Sequence, residues 1–165
     1  MANAKTRREM VFLPISDLSP YDKNARTHSE EQIEQICRSM DEFGFTNPVL
    51  IDEKRGVIAG HGRLEAAKIL GLEDIPCIVL AGLTETQKKA YVIADNKLAL
   101  NAAWDFDLLA KELSGLDAVN YDTTLTGFTV EEMTGLFDLD KKEEPKDPPD
   151  PASKLRECPE CGFEF

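Results

Sequence analysis

The feature that most constrains the fold is a β-rich run followed at once by Gly60-His61-Gly62-Arg63 and then by an Ala- and Leu-rich helical stretch. Glycines let the backbone approach an anion closely, and the N–H groups and dipole of a helix start favour negative charge. Arg63 on the first turn adds a guanidinium that can bind phosphate with two hydrogen bonds. His61 can donate to the same oxygens or to a leaving group. This segment, the 60–63 loop, therefore predicts a phosphate site; a plain tight turn is the alternative interpretation.

The flanking sequence indicates a small mixed α/β domain. The β-rich runs at 49–51 and 56–59 are separated by a polar turn, which predicts a hairpin that leads into the 60–63 loop. Ser29 with Gln32 has the spacing of a capping box, which predicts a helix that ends at Gly44. Further strands are predicted at 10–15 and 76–80, and further helices at 64–70, 84–98, 105–113 and 129–137. We divide the chain into a polar arm (1–10), an α/β domain (11–115), a helical extension (116–140), a disordered linker rich in Pro and charge (141–157) and a CxxC tail (158–165).

Charge and hydropathy exclude some classes of protein. The chain has 42% hydrophobic residues, enough for a core, but no apolar run of about 18 residues that would span a membrane. Its polar, basic N-terminus lacks the apolar centre of a secretory signal, so we expect a cytoplasmic protein. A net charge of -12 argues against tight non-specific DNA binding by the isolated chain. A local basic patch or a partner that tethers the chain to DNA remains compatible with this charge.

Some polar residues have structural interpretations that compete with functional ones. His28 precedes a helix cap in a polar loop, and we expect it to be exposed. The pair Lys88-Lys89 is expected on a solvated helix face. Cys37 and Cys77 stand alone in a predicted helix and strand, where small buried apolar residues are the rule. Glu65 is either a general base or a helix-surface carboxylate.

The segment IAGHGRLEAA at 58–67 resembles the Gly-x-x-Arg box of ParB N-terminal domains. Other segments resemble the same family in the same order, at 39–48, 49–52, 75–79 and 94–97. The resemblance covers roughly residues 11–113. It implies a ParB/sulfiredoxin-like α/β fold, a small mixed sheet with packed helices, in which the loop meets nucleotide phosphates.

The resemblance also implies the residues of the site and the ligands that it takes, which are CTP or ATP with Mg²⁺. The residues that it places at the phosphates are Gly60, His61, Gly62 and Arg63, with Asp95 and Asn96 beside the triphosphate and Thr46 and Asn47 lining the same pocket. Asp95 is the expected Mg²⁺ ligand, because a carboxylate plus phosphate oxygens suits this cation. His61 and Glu65 are the candidates for a catalytic role.

The chain departs from its relatives in three ways. Chromosomal ParB proteins carry Glu-Arg-Arg where this chain has His61-Gly62-Arg63, so their DNA-clamp switching is not expected here. The loop lacks the cysteine of sulfiredoxin, so sulfinic-acid reduction is not expected either. The helix-turn-helix domain that follows in chromosomal ParB is not evident, since residues 114–140 are too few for it. Segments at 116–117 and 125–133 instead resemble an extension of phage and mobile-element ParB-like proteins, which often stand beside DNA methyltransferases.

Cys158 and Cys161 form a CxxC pair with the spacing of a zinc knuckle. A structural zinc site needs four ligands, and the chain offers no second CxxC. Two chains that each supply a pair would complete such a site. The alternative is a degenerate ribbon with free thiols.

The leading functional hypothesis is a nucleotide-binding, DNA-associated regulatory or accessory protein of phage or plasmid type, linked to DNA modification or partition. We expect a homodimer in the cytoplasm of a bacterial cell or phage-infected host, with a DNA methyltransferase or another DNA-processing protein as partner. The alternatives are a ParB-like nuclease, a nucleoside triphosphate hydrolase or nucleotide-dependent kinase, and an adaptor with an inactive pocket. A metal-dependent nuclease usually shows a tighter carboxylate cluster than this sequence does.

Overall fold

The structure, a computed structural model, describes residues 8–22 and 24–140, and of residues 138–140 the backbone alone. The regular elements of this part are β1 (Met10–Pro14), α1 (Glu30–Phe43), β2 (Val49–Ile51), β3 (Val57–Ala59), α2 (His61–Ile69), β4 (Asp74–Val79), α3 (Glu85–Ala99), α4 (Phe106–Ala118) and α5 (Val130–Asp140). Short 3-10 turns lie at Ile15–Asp17 and Thr123–Thr126. The predicted disordered linker and CxxC tail lie outside the described residues.

The four strands form one mixed sheet in the order β1-β4-β2-β3. β1 and β4 are antiparallel, β4 and β2 are parallel, and β2 and β3 form the predicted antiparallel hairpin. The parallel pair needs a crossover connection, and β3 with α2 provides it. The chain thus passes from β3 directly into α2, with only Gly60 between the two elements.

The sheet is covered on both faces, which explains why its central strands β4 and β2 are apolar at every position after Asp74. Neighbouring strand residues point to opposite faces, so Val57 and Ile58 belong to different hydrophobic clusters. On one face Val57 packs in a cluster with Leu64 of α2. On the other face Ile58 packs with Val92 of α3. The expected mixed α/β class is therefore confirmed, with the 60–63 loop at the edge of the core.

Local capping signals account for the helix boundaries. Ser29 accepts a hydrogen bond from the Gln32 N–H at the start of α1, and Gly44 ends that helix at a φ of 76°. Thr84 and Gln87 form a reciprocal capping box at α3. At α1 the box is not reciprocal, because the Gln32 side chain hydrogen-bonds His28 instead. The starts of α1, α3, α4 and α5 lie within a residue of their predicted positions, while α2 begins at His61, three residues before the predicted start. The helices α4 and α5 run several residues beyond their expected ends.

Lys88 is not on a solvated face, contrary to expectation. Its Nζ lies 2.7 Å from Asp52 Oδ2, and both side chains are only 13% exposed. Asp52 closes the hairpin turn by accepting hydrogen bonds from the N–H groups of Lys54 and Gly56. Burial alone would raise the pKa of Asp52, but hydrogen bonds from Lys88 and from these two backbone groups lower it below its ordinary value. The sequence position of Lys88 next to Lys89 gave no sign of this pairing, which depends on how α3 meets the hairpin.

Cys77 is fully buried in β4, as expected. Cys37 is half-buried in α1, where its Sγ lies 3.7 Å from the Ala66 carbonyl oxygen. Burial raises the pKa of both thiols, with Glu34 adding to the effect at Cys37 and Arg55 opposing it at Cys77.

The chain divides into two units, which are described separately. The first comprises Met1–Trp104 and Asp122–Phe128, and the second comprises Asp105–Tyr121 and Thr129–Phe165. In the first unit the Asp122–Phe128 segment packs on its own domain, since Thr124 accepts from Arg38 and the Phe128 ring lies 5.7 Å from that of Trp104. In the second unit α4 and α5 pack together. The helix α4 continues across the boundary that we predicted between residues 115 and 116.

Candidate functional site

The 60–63 loop borders a cavity of about 230 Å³. The cavity is built from four parts of the chain: the loop after β1, the start of α1, the start of α2 and the C-terminal half of α3. The lining residues are Asn24, Arg26, His28, Gln32, Ile36, Ala59, Gly60, His61, Gly62, Arg63, Asp95 and Asn96. The structure therefore brings Asp95 and Asn96 to the 60–63 loop, as the sequence predicted.

Gly60 gives the loop its shape. Its φ of 97° is in the left-handed region, which side chains with a Cβ rarely adopt. A Cβ at Gly60 would also lie 3.0 Å from Arg63 Nη2, so the guanidinium folds back over this glycine. Gly60 is the N-cap of α2 and offers no side-chain hydrogen bond to it. The first-turn N–H groups of α2 are thus left uncapped beside an arginine, which favours an anion.

Arg63 is half-buried and is held in position by the backbone. Its Nη1 donates a hydrogen bond of 2.6 Å to the carbonyl oxygen of Asn47. Burial lowers the pKa of Arg63, while the nearby Asp95 carboxylate opposes that shift. The guanidinium remains charged at neutral pH, because arginine side chains are not deprotonated in proteins.

Arg26 is a second cation in the cavity, and the sequence analysis missed it. Its Nη1 donates to Asn96 Oδ1 at 3.3 Å, and the Asn96 amide nitrogen donates to the Val92 carbonyl oxygen at 2.8 Å. Asn24 orients the loop by accepting from the Arg26 N–H and donating to its carbonyl oxygen. The only sequence signal was a basic residue between a turn and a helix cap, and such residues are common in loops.

The two histidines face the same cavity, and for His28 this corrects the expectation of an exposed side chain. His28 is half-buried, and its Nδ1 lies 2.9 Å from Gln32 Oε1. His61 Nε2 accepts a hydrogen bond of 3.3 Å from the Tyr21 N–H. Burial lowers the pKa of His61, His28 lowers it further, and Glu65 opposes the shift.

Thr46 and Asn47 do not line the cavity of the 60–63 loop. They line a neighbouring groove of about 380 Å³ together with Gln35, Phe45 and Leu125. Three residues line both spaces: Gln32, Ile36 and Arg63. The resemblance placed all the site residues in one pocket, whereas in the structure Thr46 and Asn47 line the groove next to the cavity.

Glu65 does not lie among the residues that line the cavity. It is exposed on α2 and pairs with Lys68, the Oε1–Nζ distance being 2.9 Å. This placement favours the interpretation as a helix-surface carboxylate over that of a general base. Within residues 8–22 and 24–140, no group of three or more His, Cys, Asp or Glu side chains is arranged to hold a metal ion. Cys158 and Cys161 lie outside the described residues.

In the described part of the chain, each helix is too short or too polar to cross a lipid bilayer.

Comparison with known proteins identifies the class to which this fold and site belong. The family described as "ParB N-terminal domain" matches residues 1–96, which is more than half of the chain. The chain therefore belongs to the ParB N-terminal domain family, as its sequence motifs indicated.

The chain is similar to individual members of that family. It is 56% identical over 81 residues to the ParB-like nuclease domain-containing protein YnaK of Escherichia coli, of which it covers 93%. It is 29% identical over 97 residues to the nucleoid occlusion protein of Bacillus cereus, but spans only 33% of that longer protein. A solved structure of ParB from Caulobacter crescentus with CTP-γ-S has a TM-score of 0.57 at 24% identity, over 66% of this chain and 62% of that one. This last similarity concerns the fold.

A second family covers the C-terminal part of the chain. The "ParB-methyltransferase HTH domain" matches residues 107–161, which include α4 and α5. The helix-turn-helix domain of chromosomal ParB was not evident in the sequence, and this match is to a methyltransferase-linked one. It agrees with the resemblance of segments 116–117 and 125–133 to an extension found beside DNA methyltransferases. We expected the extension at 116–140, whereas the matching region begins within α4 and continues beyond the described residues.

Proposed function

We propose that this chain binds a nucleoside triphosphate, CTP or ATP, through phosphates held at the 60–63 loop. The observation that carries the proposal is the convergence of two arginines, Arg63 and Arg26, on the uncapped start of α2. Charge-assisted hydrogen bonds of this kind are the strong ones, and guanidinium groups match the geometry of phosphate oxygens. The CTP-γ-S in the Caulobacter ParB structure supports a nucleotide as the ligand.

Mg²⁺ fits the donors beside the loop. Asp95 lies on the α3 wall of the cavity, next to Asn96. Mg²⁺ commonly takes one or two carboxylates together with phosphate oxygens and water. Asp95 would hold the ion there, and the ion would neutralise phosphate charge in a cavity where the same carboxylate is otherwise balanced by Arg63.

The nucleotide-bound chain would act as a DNA-associated regulatory or accessory factor in a phage or plasmid setting, linked to DNA modification or partition. The match of residues 107–161 to a ParB-methyltransferase HTH domain supports DNA and a DNA methyltransferase as partners. Since the net charge is -12, DNA contact would depend on a local surface or on the partner. We expect the working unit to be a homodimer.

Calorimetric titration with CTP, ATP and GTP tests the nucleotide proposal, with Mg²⁺ present and then removed by a chelator. Saturable binding of CTP or ATP that tightens with Mg²⁺ is expected. An absence of binding by every nucleotide would overturn the proposal and leave the adaptor with an inactive pocket as the better hypothesis. Phosphate release assayed on the same samples shows whether bound nucleotide is hydrolysed.

Nuclease activity is a second candidate, favoured by the name of the E. coli relative that is 56% identical over 81 residues. The test is incubation of supercoiled plasmid with the purified chain and Mg²⁺ or Mn²⁺. Nicking that is lost in Asp95→Asn and kept in the surface variant Glu65→Gln would support an enzyme that uses this cavity. Intact plasmid under all these conditions would eliminate the nuclease.

A further inference from the structure

The chain has two histidines in 165 residues, and both line the cavity of the 60–63 loop. They reach it from different elements, His28 from the loop before α1 and His61 from the first position of α2. The Gly-x-x-Arg box includes His61 by its position in the sequence, but no motif includes His28. Their hydrogen bonds give them different chemical states.

His61 is held in its neutral form. The Tyr21 N–H donates to His61 Nε2, so that nitrogen is an acceptor and the ring hydrogen is on Nδ1. A proton on Nε2 would break this bond and leave the Tyr21 N–H facing another donor. Burial and His28 both lower the pKa of His61, in agreement with the neutral state. His61 therefore ties the loop after β1 to the start of α2.

His28 is arranged in the opposite way. The Gln32 amide oxygen can only accept, so the 2.9 Å contact requires that His28 Nδ1 carries the hydrogen. Within the described residues no hydrogen bond to His28 Nε2 is found, which leaves that nitrogen able to take a proton without losing a partner.

The imidazole of His28 lies on the start of α2. A Cβ at Gly62 would come within 3.1 Å of His28 Cε1 and 3.2 Å of Nδ1. The second glycine of the loop thus makes room for this ring, which rests directly against the turn whose N–H groups favour an anion. Gly62 is therefore needed for the space that its missing side chain leaves to His28, and not only for the conformation of the turn.

We propose that His28 is a phosphate-binding residue that takes up a proton when an anion enters the cavity, while His61 stays neutral as a positioning residue. The proposal rests on the proposed function, since it concerns the same phosphate site. An anion beside an imidazole favours its protonated form. The charged or titratable groups around His28 are Arg26 from its own loop, His61 and Arg63 from α2 and Asp95 from α3, while α1 contributes the neutral Gln32 and Ile36.

Proton uptake makes binding depend on pH in a defined direction. One linked proton weakens binding by up to about tenfold for each pH unit above neutrality. Between pH 7 and pH 8 the Kd for CTP or ATP should therefore rise several-fold, although the nucleotide itself is largely deprotonated in this range. Calorimetry at pH 7.5 in buffers of different ionisation enthalpy should show the uptake of up to one proton per nucleotide bound.

Imidazole NMR tests the assignment directly, because the spectrum holds two histidine signals that a single His61→Gln variant assigns. Sulfate is the second probe, since it is a dianion that does not titrate near neutral pH. Addition of CTP, ATP or sulfate at pH 7.5 should shift the His28 signals towards the protonated form and leave His61 neutral. The variant His28→Gln should lose the proton uptake and flatten the pH dependence, whereas Lys54→Gln, which removes a cation away from the cavity, should keep both.

The outcomes separate this inference from the proposed function. Nucleotide binding with no change in either imidazole, or with protonation of His61 instead, overturns the inference and leaves nucleotide binding intact. Sulfate that protonates His28 while CTP, ATP and GTP fail to bind supports the anion role of His28 and overturns the nucleotide. If neither sulfate nor any nucleotide binds or shifts the imidazole signals, both the proposed function and the role of His28 are overturned. The titrations use the unaltered chain, so they decide the matter even where His28→Gln fails to fold.

Discussion

Arg63 Nη1 donates a 2.6 Å hydrogen bond to the backbone carbonyl oxygen of Asn47. The cavity of the 60–63 loop and the groove lined by Thr46 and Asn47 meet at Arg63, which lines both of them, as do Gln32 and Ile36. A ligand whose phosphates bind at the loop and whose organic part lies in the groove would contact Arg63 with both of these parts. Removal of the Arg63 side chain should therefore weaken ligand binding strongly and lower the stability of the hydrophobic core only slightly.

The variant Arg63→Ala should bind CTP or ATP roughly tenfold to a hundredfold more weakly. The loss of a charge-assisted hydrogen bond costs about 1.5–3 kcal/mol, and each 1.4 kcal/mol is about tenfold in affinity. Stability should fall little, since the bond to Asn47 is at the surface. Calorimetric titration and thermal melts of both proteins measure the two effects. Unweakened binding would show that Arg63 is not a phosphate ligand, and an unfolded variant would show that its role is structural.

Removal of the second cation gives a matched comparison. Arg26→Ala should weaken nucleotide binding by about tenfold, because one charged donor is lost from the cavity. Arg38→Ala is the control: this exposed arginine on α1 donates to Thr124 Oγ1 and does not line the cavity. If the parent, Arg26→Ala and Arg38→Ala all bind nucleotide equally well, the phosphates do not bind at Arg26. Addition of Arg63→Ala to Arg26→Ala shows whether the two cations act on the same phosphate group, in which case their effects are not additive.

Two glycines in helices should respond in opposite ways to alanine. A Cβ at Gly62 would lie 3.0 Å from Ile36 Cδ1 and 3.1 Å from His28 Cε1, so Gly62→Ala fits only if these two side chains shift by a few tenths of an ångström. We expect a loss of about 1–3 kcal/mol, together with weaker nucleotide binding. At Gly115 in α4 nothing lies within 4 Å of the added Cβ, so Gly115→Ala should be neutral or stabilise the helix by up to about 1 kcal/mol. Denaturant titration compares the two; a Gly62→Ala protein as stable as its parent would contradict the close contact with His28.

The Asp52–Lys88 pair predicts a pH dependence of stability. Because the pKa of Asp52 is lowered in the folded state, its stabilisation is complete above the ordinary carboxyl pKa of about 3.9 and is lost as the pH falls through the lower folded value. Asp52→Asn should cost roughly 1.5–3 kcal/mol at pH 7, where hydrogen bonds to a charged group are lost. The difference from the parent should shrink as the pH falls below the ordinary carboxyl pKa and through the lower folded value.

Thermal melts of both proteins from pH 2 to pH 7 measure this dependence. Glu85→Gln serves as the control, because Glu85 also contacts Lys88 but its side chain is 78% exposed, and such pairs contribute little. If the difference in stability between the parent and Asp52→Asn is the same at pH 2 and pH 7, the Asp52–Lys88 pair does not stabilise the packing of the hairpin against α3.

The local sequence determined where the helices start and how the 60–63 loop is built. Ser29, Thr84 and Asp105 cap their helices because a short polar side chain can reach an N–H two or three residues ahead, whatever the rest of the chain does. Gly60 permits the left-handed backbone conformation at the start of α2, and this depends on that residue alone. The ordered motifs from 39 to 97 were also enough to predict the family, which the match to residues 1–96 confirms.

Only the tertiary structure decided which side chains meet at the loop. Arg26 and His28 enter the cavity because α1 packs against α2, and the Lys88 side chain is largely shielded from solvent because α3 lies over the hairpin. The one expected pocket is a cavity and an adjoining groove, and Thr46 and Asn47 line the groove while Gly60 lines the cavity. The Arg26–Asn96 and Asp52–Lys88 contacts join residues 70 and 36 positions apart, and they depend on contacts between helices and strands, which no local spacing in the sequence encodes.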